Sequence, residues 1–562
     1  MKFITHHADL CVVGGGMAGI CAALAAARHG SKVVLMQDRG VLGGNASSEI
    51  RMWICGAHGQ DHRETGILEE LILENFYRNP QHSYPLWDAV LYDKVASQER
   101  LTLLLNTACF DAQMDGERIA SVKGYQSPCE TMHTVEAAYF ADCSGDSILS
   151  TLTGAHYRYG REARDEFSES IAPETADSKT MGMSCLIQAR ETDSPKPFTP
   201  PPFAYSYPTD ADLPFREHDL STNFWWIETG GEGDCIHDTD ACRTELLKIA
   251  YGVWDHVKNH GDHGAENWEL EWIGLLPGKR ESRRYVGRYT VTQNDVSAGG
   301  KFPDVIAYGG WSMDDHFPAG FAHKTSYPTI FHPAPSPWGI PFRALYSENV
   351  PNLLFAGRNI SVTHAALSSS RVMGTCALLG QAVGTAVAQM IQDHTTPDTL
   401  QIARLQKTLQ ADDCDLPGLP REIAPLSRKI PCNQEIVRNG KERGEENLWR
   451  GGTGDFLLYE SATPFPLHGV RLVFDSDLNR NYHNMPCCIR LHEDRYTLPE
   501  TLLRDFDLLL TDEHGQTETY PYRDVHCRLL TLPFAGNYKA VRFVPRATYG
   551  STDFRVFSFE IL

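Results

Sequence analysis

The chain has 562 residues, 42% hydrophobic and 22% charged, with a formal net charge of −21. That length accommodates several domains with sizeable cores, and the acidic balance excludes a nucleic-acid partner, whose phosphates require concentrated Lys and Arg. Fifteen cysteines without one C-x-x-C pair exclude zinc-ribbon, iron–sulfur and thioredoxin-like chemistry. The thiols therefore read as reduced and buried in a cytoplasmic protein, and no metal site is assigned.

The N-terminal "MKFITHHADL" lacks the apolar run of a signal peptide. No stretch approaches the roughly 20 apolar residues of a membrane helix, so no membrane partner is expected. "ADLCVVGGG" reads as a short buried strand, "MAGICAALAAARHG" as a helix ending at Gly30, and "SKVVLMQD" as a second strand. Between the first strand and the helix, Gly14, Gly16 and Gly19 occupy the positions of G-x-G-x-x-G. Gly14 permits the tight turn, Gly16 lets a pyrophosphate approach the backbone, and Gly19 lets helix and strand pack closely. Met17 and Ala18 open the helix, whose free N–H groups and partial positive charge face the phosphates. The acidic residue that usually ends the second strand and holds the ribose is replaced by Gln37, followed by Asp38 and Arg39.

The segments that follow narrow the cofactor. "VLGGNASSEIRMW" (41–53) brings a second glycine turn with Gly43, Gly44, Asn45, Ser48 and Arg51. "LTLLLNTACF" (101–110) is a predicted strand carrying Cys109, and "TVEAAYFADCSGD" (134–146) a strand ending in Ser144, Gly145 and Asp146. "NVPNLLFAGRNISVTHAALSSSRVMGTCALLGQAVGTAVAQM" (349–390) reads as a strand, a turn with Gly357 and Arg358, a loop, and a long Ala/Gly-rich helix opening near Met373, Gly374 and Thr375. With "LLPGKRESRRYVGRYTVTQND" (275–295), these segments resemble the FAD-dependent oxidoreductases of the glutathione-reductase-like superfamily, relatives of the fumarate reductase-type flavoproteins, over about residues 5–395. The resemblance implies FAD as cofactor, held by the residues just named. It also implies that the loop and helix start near 364–375 sit against the isoalloxazine, where the helix dipole favours negative charge.

The expected fold class is α/β. A discontinuous Rossmann-like FAD-binding domain (1–155 and 345–410) encloses an α+β substrate domain (156–344). In the latter, "TNFWWIETG" (222–230) and "NWELEWIG" (267–274) read as strands, 239–261 as a helix, and the proline-rich 193–208 as a loop. A polar linker (411–435) leads to alternating strands at 436–562, a β-sandwich of the galactose-binding or discoidin-like kind.

For chemistry, His364 lies between the Gly-Arg turn and the flavin-facing helix, where a base could take a proton as hydride leaves. Arg371 is placed to stabilise a reduced flavin or hold substrate. Arg280, Arg283 and Arg284 form a cluster suited to gripping a carboxylate or polyhydroxyl group, or to a buried ion network. Arg51 and His58 follow the second glycine turn and read either as facing the ring or as packing. Cys55 has no identified base and is not assigned as a nucleophile. No second G-x-G-x-x-G stands between a strand and a helix, so no NAD(P)H domain is expected and electrons pass to a separate acceptor. The reading is an FAD-dependent oxidoreductase acting on a small polar organic substrate of the kind of a sugar or sugar derivative. The alternatives are a carbohydrate-binding or scaffold protein with structural FAD, and a non-redox flavoenzyme. Oligomeric state is not legible in the sequence.

Overall fold

A computed structural model of the protein describes residues 1–487 and 496–562. The chain divides into two compact units. The first holds 1–58, 81–405 and, among the described residues, 483–487; the second holds 59–80, 406–482 and 496–562.

The first unit is built on a seven-stranded sheet. Its strands are β1 (Lys2–Val13), β2 (Val33–Met36), β3 (Leu101–Leu104), β4 (Thr107–Asp115), β5 (Arg118–Gln126), β6 (Thr131–Asp142) and β7 (Leu353–Phe355). β3, β2, β1, β6 and β7 pair in parallel in that order. β6 is shared: its first half pairs antiparallel with β5, and residues 140–142 pair with β7. The continuous strand expected over 101–110 is broken at Asn106, whose φ of 52° turns the chain. β3 therefore completes the parallel layer while β4 starts an antiparallel meander with β5 and β6. β1 leads through Gly14–Gly16 into α1 (Met17–Arg28), all but its last residue buried.

α1 packs on α2 (Met373–Asp393) through small residues. A Cβ on Gly380 would stand 2.0 Å from the Ala18 carbonyl oxygen, and one on Gly384 would stand 2.1 Å from that of Ala22. These two glycines let the helix backbones touch. By length and composition α2 could cross a membrane, but 94% of its apolar window is buried inside the fold, so it reads as a core helix.

Within the first unit, Met183, Phe224, Trp226, Trp254 and Trp268 form a core cluster around the helix Thr239–Asn259; the 156–344 segment expected as a domain of its own falls inside this unit. The strand expected at 267–274 spans Trp268–Ile273. The one expected at 222–230 shrinks to Glu228–Thr229. Asn223 Oδ1 accepts the Trp225 N–H at 3.1 Å and Phe224 O accepts from Ile227 N at 3.0 Å. A side-chain-closed turn thus replaces the ladder.

The second unit is an antiparallel sheet of six strands, Trp449–Gly451, Leu457–Phe474, Leu503–Asp512, Thr517–Tyr522, Leu529–Thr548 and Phe554–Ile561. Leu472, Phe474, Phe506, Phe543 and Phe559 form its buried face. Two segments join this unit that the sequence reading put elsewhere. The stretch 59–80 belongs to it because Glu69, on the helix Ile67–Arg78, is buried in a two-bond ion pair with Arg480 at 2.8 and 2.5 Å. The stretch read as a linker packs against the last strand, where Ala424 N donates to Glu560 at 2.7 Å and Ser427 Oγ to Ile561 O at 2.9 Å.

Candidate functional site

The site lies in the first unit, in a cavity of about 670 Å³ that opens along the β1–α1 turn. Gly14 adopts φ +104°, and a Cβ there would stand 2.5 Å from the Cys143 backbone. A Cβ on Gly19 would stand 1.8 Å from Gly14 O, so this residue serves the packing of α1 rather than the cavity wall. Gly16 differs from both. Its φ of −71° suits any residue, and an added Cβ would meet only Gly44 Cα, at 3.8 Å, on a face that lines the cavity. The first turn of α1 carries no acidic residue and no side-chain cap, so its N–H groups and dipole are left to the cavity. This is a cradle shaped for a diphosphate.

Met17, Ala18, Asp38, Arg39, Gly43, Gly44, Asn45, Cys109, Ser144, Gly145, Asp146, Gly357, Arg358 and Met373 line the same cavity. Gln37 does too, but its amide is engaged: Oε1 accepts from Gly15 N at 2.7 Å and Nε2 donates to Val41 O at 3.1 Å. It braces the glycine turn, and Asp38 beside it lines the cavity. Asp146 accepts from Lys279 Nζ at 2.8 Å, Ser282 Oγ at 2.8 Å and Arg358 at 2.6 Å. Burial would raise its carboxyl, but Arg358 and Lys279 hold it below the ordinary carboxylate value. Burial pushes the Cys109 thiol up to about 12, so it stays protonated.

Farther along, the wall is formed by Met52, Trp53, Cys55, Trp225, His237, Arg280, Arg283 and Arg371. Arg280 Nη1 lies 3.4 Å from Glu228, and Arg371 Nη2 donates to Asp314 at 2.9 Å. His316 bridges the two carboxylates, 2.8 Å from Glu228 and 3.2 Å from Asp314. Burial alone would raise both acids, yet Arg280 and His316 hold Glu228 down, and His316 and Arg371 hold Asp314 down. Both remain charged and fix the guanidinium groups from behind. Arg283 makes no ion pair among the described residues, and its guanidinium lies 5.5 Å over the Tyr157 ring.

Several expected site residues face elsewhere. His364 does not line the cavity. It is buried, with Nδ1 2.9 Å from Glu281 and Nε2 3.1 Å from Asp315, and its backbone N–H donates to Glu162 at 2.9 Å. Burial alone would lower its pKa, but the two carboxylates outweigh that and push it up to about 10. An imidazolium with both nitrogens donating cannot accept a proton, which corrects the assignment of His364 as base. Arg284 is buried in the same network, 2.9 Å from Glu162 and 3.4 Å from Glu281. Arg51 donates to Gln188 at 2.6 Å and is sandwiched between Tyr84 and Trp272, and Ser48 N donates to Asp88 at 3.1 Å, both away from the cavity. His58 stacks on Trp311 at 4.3 Å. Gly374 N donates to Cys55 O at 2.8 Å, and Thr375 is buried inside α2, so neither lines the wall. The sequence reading missed Trp225, which sits in a stretch read only as an aromatic strand (222–230), and His237, which falls just before the helix read over 239–261.

The raised His364 pKa has a sign. Its ionic contribution is complete below the ordinary 6.5 and is lost as pH climbs through about 10. The thermal midpoint of wild type is expected to fall over that window more steeply than that of His364→Gln. The variant, with the buried Glu281 and the part-buried Asp315 left underpaired, should be destabilised by about 3–5 kcal/mol. Thermal melts across pH check both; parallel profiles would contradict the ion-pair reading.

A parallel sheet with a glycine-cradled helix N-terminus and a meander inserted at β6 defines a dinucleotide-binding α/β protein. The chain belongs to the FAD dependent oxidoreductase family, whose model matches residues 9–409, and is an oxidoreductase with FAD as cofactor. The reading as a mere binding or scaffold protein is thereby set aside. No curated protein matches the sequence. Among solved structures, a geranylgeranyl bacteriochlorophyll reductase-like protein from Thermoplasma acidophilum is 12% identical, with 73% of this chain and 85% of that chain covered and a TM-score of 0.33. An anhydrotetracycline hydroxylase from Streptomyces rimosus is also 12% identical, covering 72% and 64%, with a TM-score of 0.31. A family 32 carbohydrate-binding module from Streptococcus pneumoniae, 12% identical, covers 24% of this chain and 92% of its own, with a TM-score of 0.18.

Proposed function

We propose that the protein oxidises a small anionic substrate, a hydroxy acid or sugar acid, and passes the electrons to a separate acceptor. The observation that carries this reading is the charge of the cavity wall. Six cations, Arg39, Lys279, Arg280, Arg283, Arg358 and Arg371, line it against two carboxylates, Asp38 and Asp146, in a protein of net charge −21. Lys279 and Arg358 are matched by Asp146, and Arg39 by Glu49 at 3.0 Å. Among the described residues Arg283 has no ion partner, and Arg371 Nη1 makes no hydrogen bond, its Nη2 alone being held by Asp314. These two donors are therefore available to a carboxylate. FAD, when bound, supplies the hydride acceptor.

His237 replaces His364 as proton acceptor. Among the described residues it is the one histidine lining the cavity, and its Nδ1 lies 2.7 Å from Asp234. With Nδ1–H donating to that carboxylate, Nε2 keeps its lone pair for a substrate hydroxyl. The test is anaerobic mixing of the yellow protein with sugar acids, 2-hydroxy acids, neutral sugars and amines. Bleaching by acids, slowed by roughly 10²–10⁴-fold in His237→Ala, is the expected result. Faster bleaching by neutral sugars or amines would overturn the substrate class. An unchanged rate in His237→Ala would overturn the base.

A further inference from the structure

Away from the cavity, four side chains of the insertion converge on one point. Asp210 opens the short turn Asp210–Asp212, and His218 lies in the loop after it. His256 sits in the last turns of the helix Thr239–Asn259, and His263 follows that helix. Their Nε2 and carboxylate oxygen atoms all lie within 4.8 Å of one another. His256 Nε2 is 3.1 Å from His263 Nε2 and 3.2 Å from Asp210 Oδ1. The same oxygen is 3.7 Å from His218 Nε2 and 3.9 Å from His263 Nε2.

The ring orientations are set from behind. His256 Nδ1 lies 2.6 Å from Tyr207 O, and His218 Nδ1 lies 2.5 Å from Arg216 O. A carbonyl oxygen can only accept, so both Nδ1 atoms carry the proton, and in the neutral imidazoles both Nε2 atoms present lone pairs to the centre. This is the backbone-carbonyl support that fixes the tautomer of metal-bound histidines. Two imidazole lone pairs and a carboxylate aimed at one point repel unless a positive charge, a proton or a metal ion, lies among them. Bonds of 2.0–2.1 Å to a tetrahedral ion put ligand atoms about 3.3 Å apart, near the 3.1–3.9 Å spacings above, with the remaining pairs no farther apart than 4.8 Å. Three imidazoles and one carboxylate suit zinc; magnesium and calcium prefer oxygen ligands in higher number.

We propose that Asp210, His218, His256 and His263 bind one zinc ion as a structural site. Four protein ligands leave no open position, so the ion does no chemistry on substrate. Its role is to staple the loop ahead of residue 222 onto the helix. That loop carries Tyr207 and Leu213 into the core beside Phe224 and Trp226, and Glu217 O accepts from Trp226 Nε1 at 2.8 Å. The next side chain, Trp225, is in the cavity wall. The sequence reading assigned no metal because it weighed cysteines. The ligands form a D-x7-H…H-x6-H pattern whose halves are joined only by the fold.

The test is elemental analysis of the flavin-loaded protein from zinc-supplemented cultures, with a zinc titration after chelator treatment. About one zinc per chain is expected, with binding weakened by roughly 10–100-fold or more in Asp210→Ala and His263→Ala. Flavin content should be kept, and His514→Ala, a substitution in the second unit, should bind zinc like wild type. Asp210 has an exposed side chain, so its variant remains informative if His263→Ala fails to fold. Zinc-edge X-ray absorption should show only nitrogen and oxygen ligands with imidazole scattering. Zinc far below stoichiometry with no uptake on titration, sulfur in the zinc shell, or equal affinity in wild type and Asp210→Ala would each overturn the proposal.

Discussion

Gly16→Val is expected to give a folded but colourless protein. The position separates cofactor binding from folding, because its backbone, at φ −71° and ψ −177°, lies in a region valine favours. The only atom near an added Cβ is Gly44 Cα, 3.8 Å away. The added side chain instead fills the approach to the helix N-terminus, where a diphosphate would accept hydrogen bonds. Two charge-assisted bonds, at about 1.5–3 kcal/mol each, correspond to a loss of roughly 10²–10⁴-fold in FAD affinity. Gly14→Val and Gly19→Val cannot serve this purpose, since their side chains would strike backbone at 2.5 and 1.8 Å and disturb the fold itself. The measurement is flavin absorbance per chain after adding excess FAD, paired with circular dichroism and a thermal melt. A Gly16→Val protein that binds FAD like wild type would remove the diphosphate from this turn.

The cofactor end was legible in the sequence because its determinants are local. Gly14, Gly16 and Gly19 act within one turn, and the strand before and the helix after them are readable from apolar pattern alone. Gln37 was readable as an anomaly, but its task, bracing Gly15 N, depends on the three-dimensional path of the turn. The substrate end was not legible for the same reason in reverse. Arg280 and Arg371 are ninety residues apart, and their orientation is set by Glu228, Asp314 and His316 from two further segments. His364 was misread because position in the chain put it near the flavin-facing helix, whereas its chemistry is set by Glu281, Asp315 and Glu162. Loop topology says where a backbone goes; which way its side chain turns depends on partners that the local sequence does not contain.

Arg371 offers the sharpest test of the substrate reading. Its Nη2 is committed to Asp314, donating to the carboxylate at 2.9 Å and to the backbone oxygen at 3.1 Å, while Nη1 makes no hydrogen bond among the described residues. Arg371→Lys keeps a positive charge beside Asp314, so the ion network with His316 and Glu228 retains its balance and the protein should stay folded and yellow. Lysine has no planar fork, so the bond offered to a substrate carboxylate is lost. One charge-assisted hydrogen bond, at about 1.5–3 kcal/mol, corresponds to a rise of roughly 10–150-fold in KM. Because the group binds rather than reacts, kcat at saturation should change little. The amide of the best acid substrate completes the comparison. Wild type should prefer the acid strongly, and Arg371→Lys should lose most of that preference, a coupling that general damage to the site would not produce. Equal losses for acid and amide, or a KM within about twofold of wild type, would release Arg371 from substrate binding and move the assignment to Arg283, a wall cation without an ion pair among the described residues.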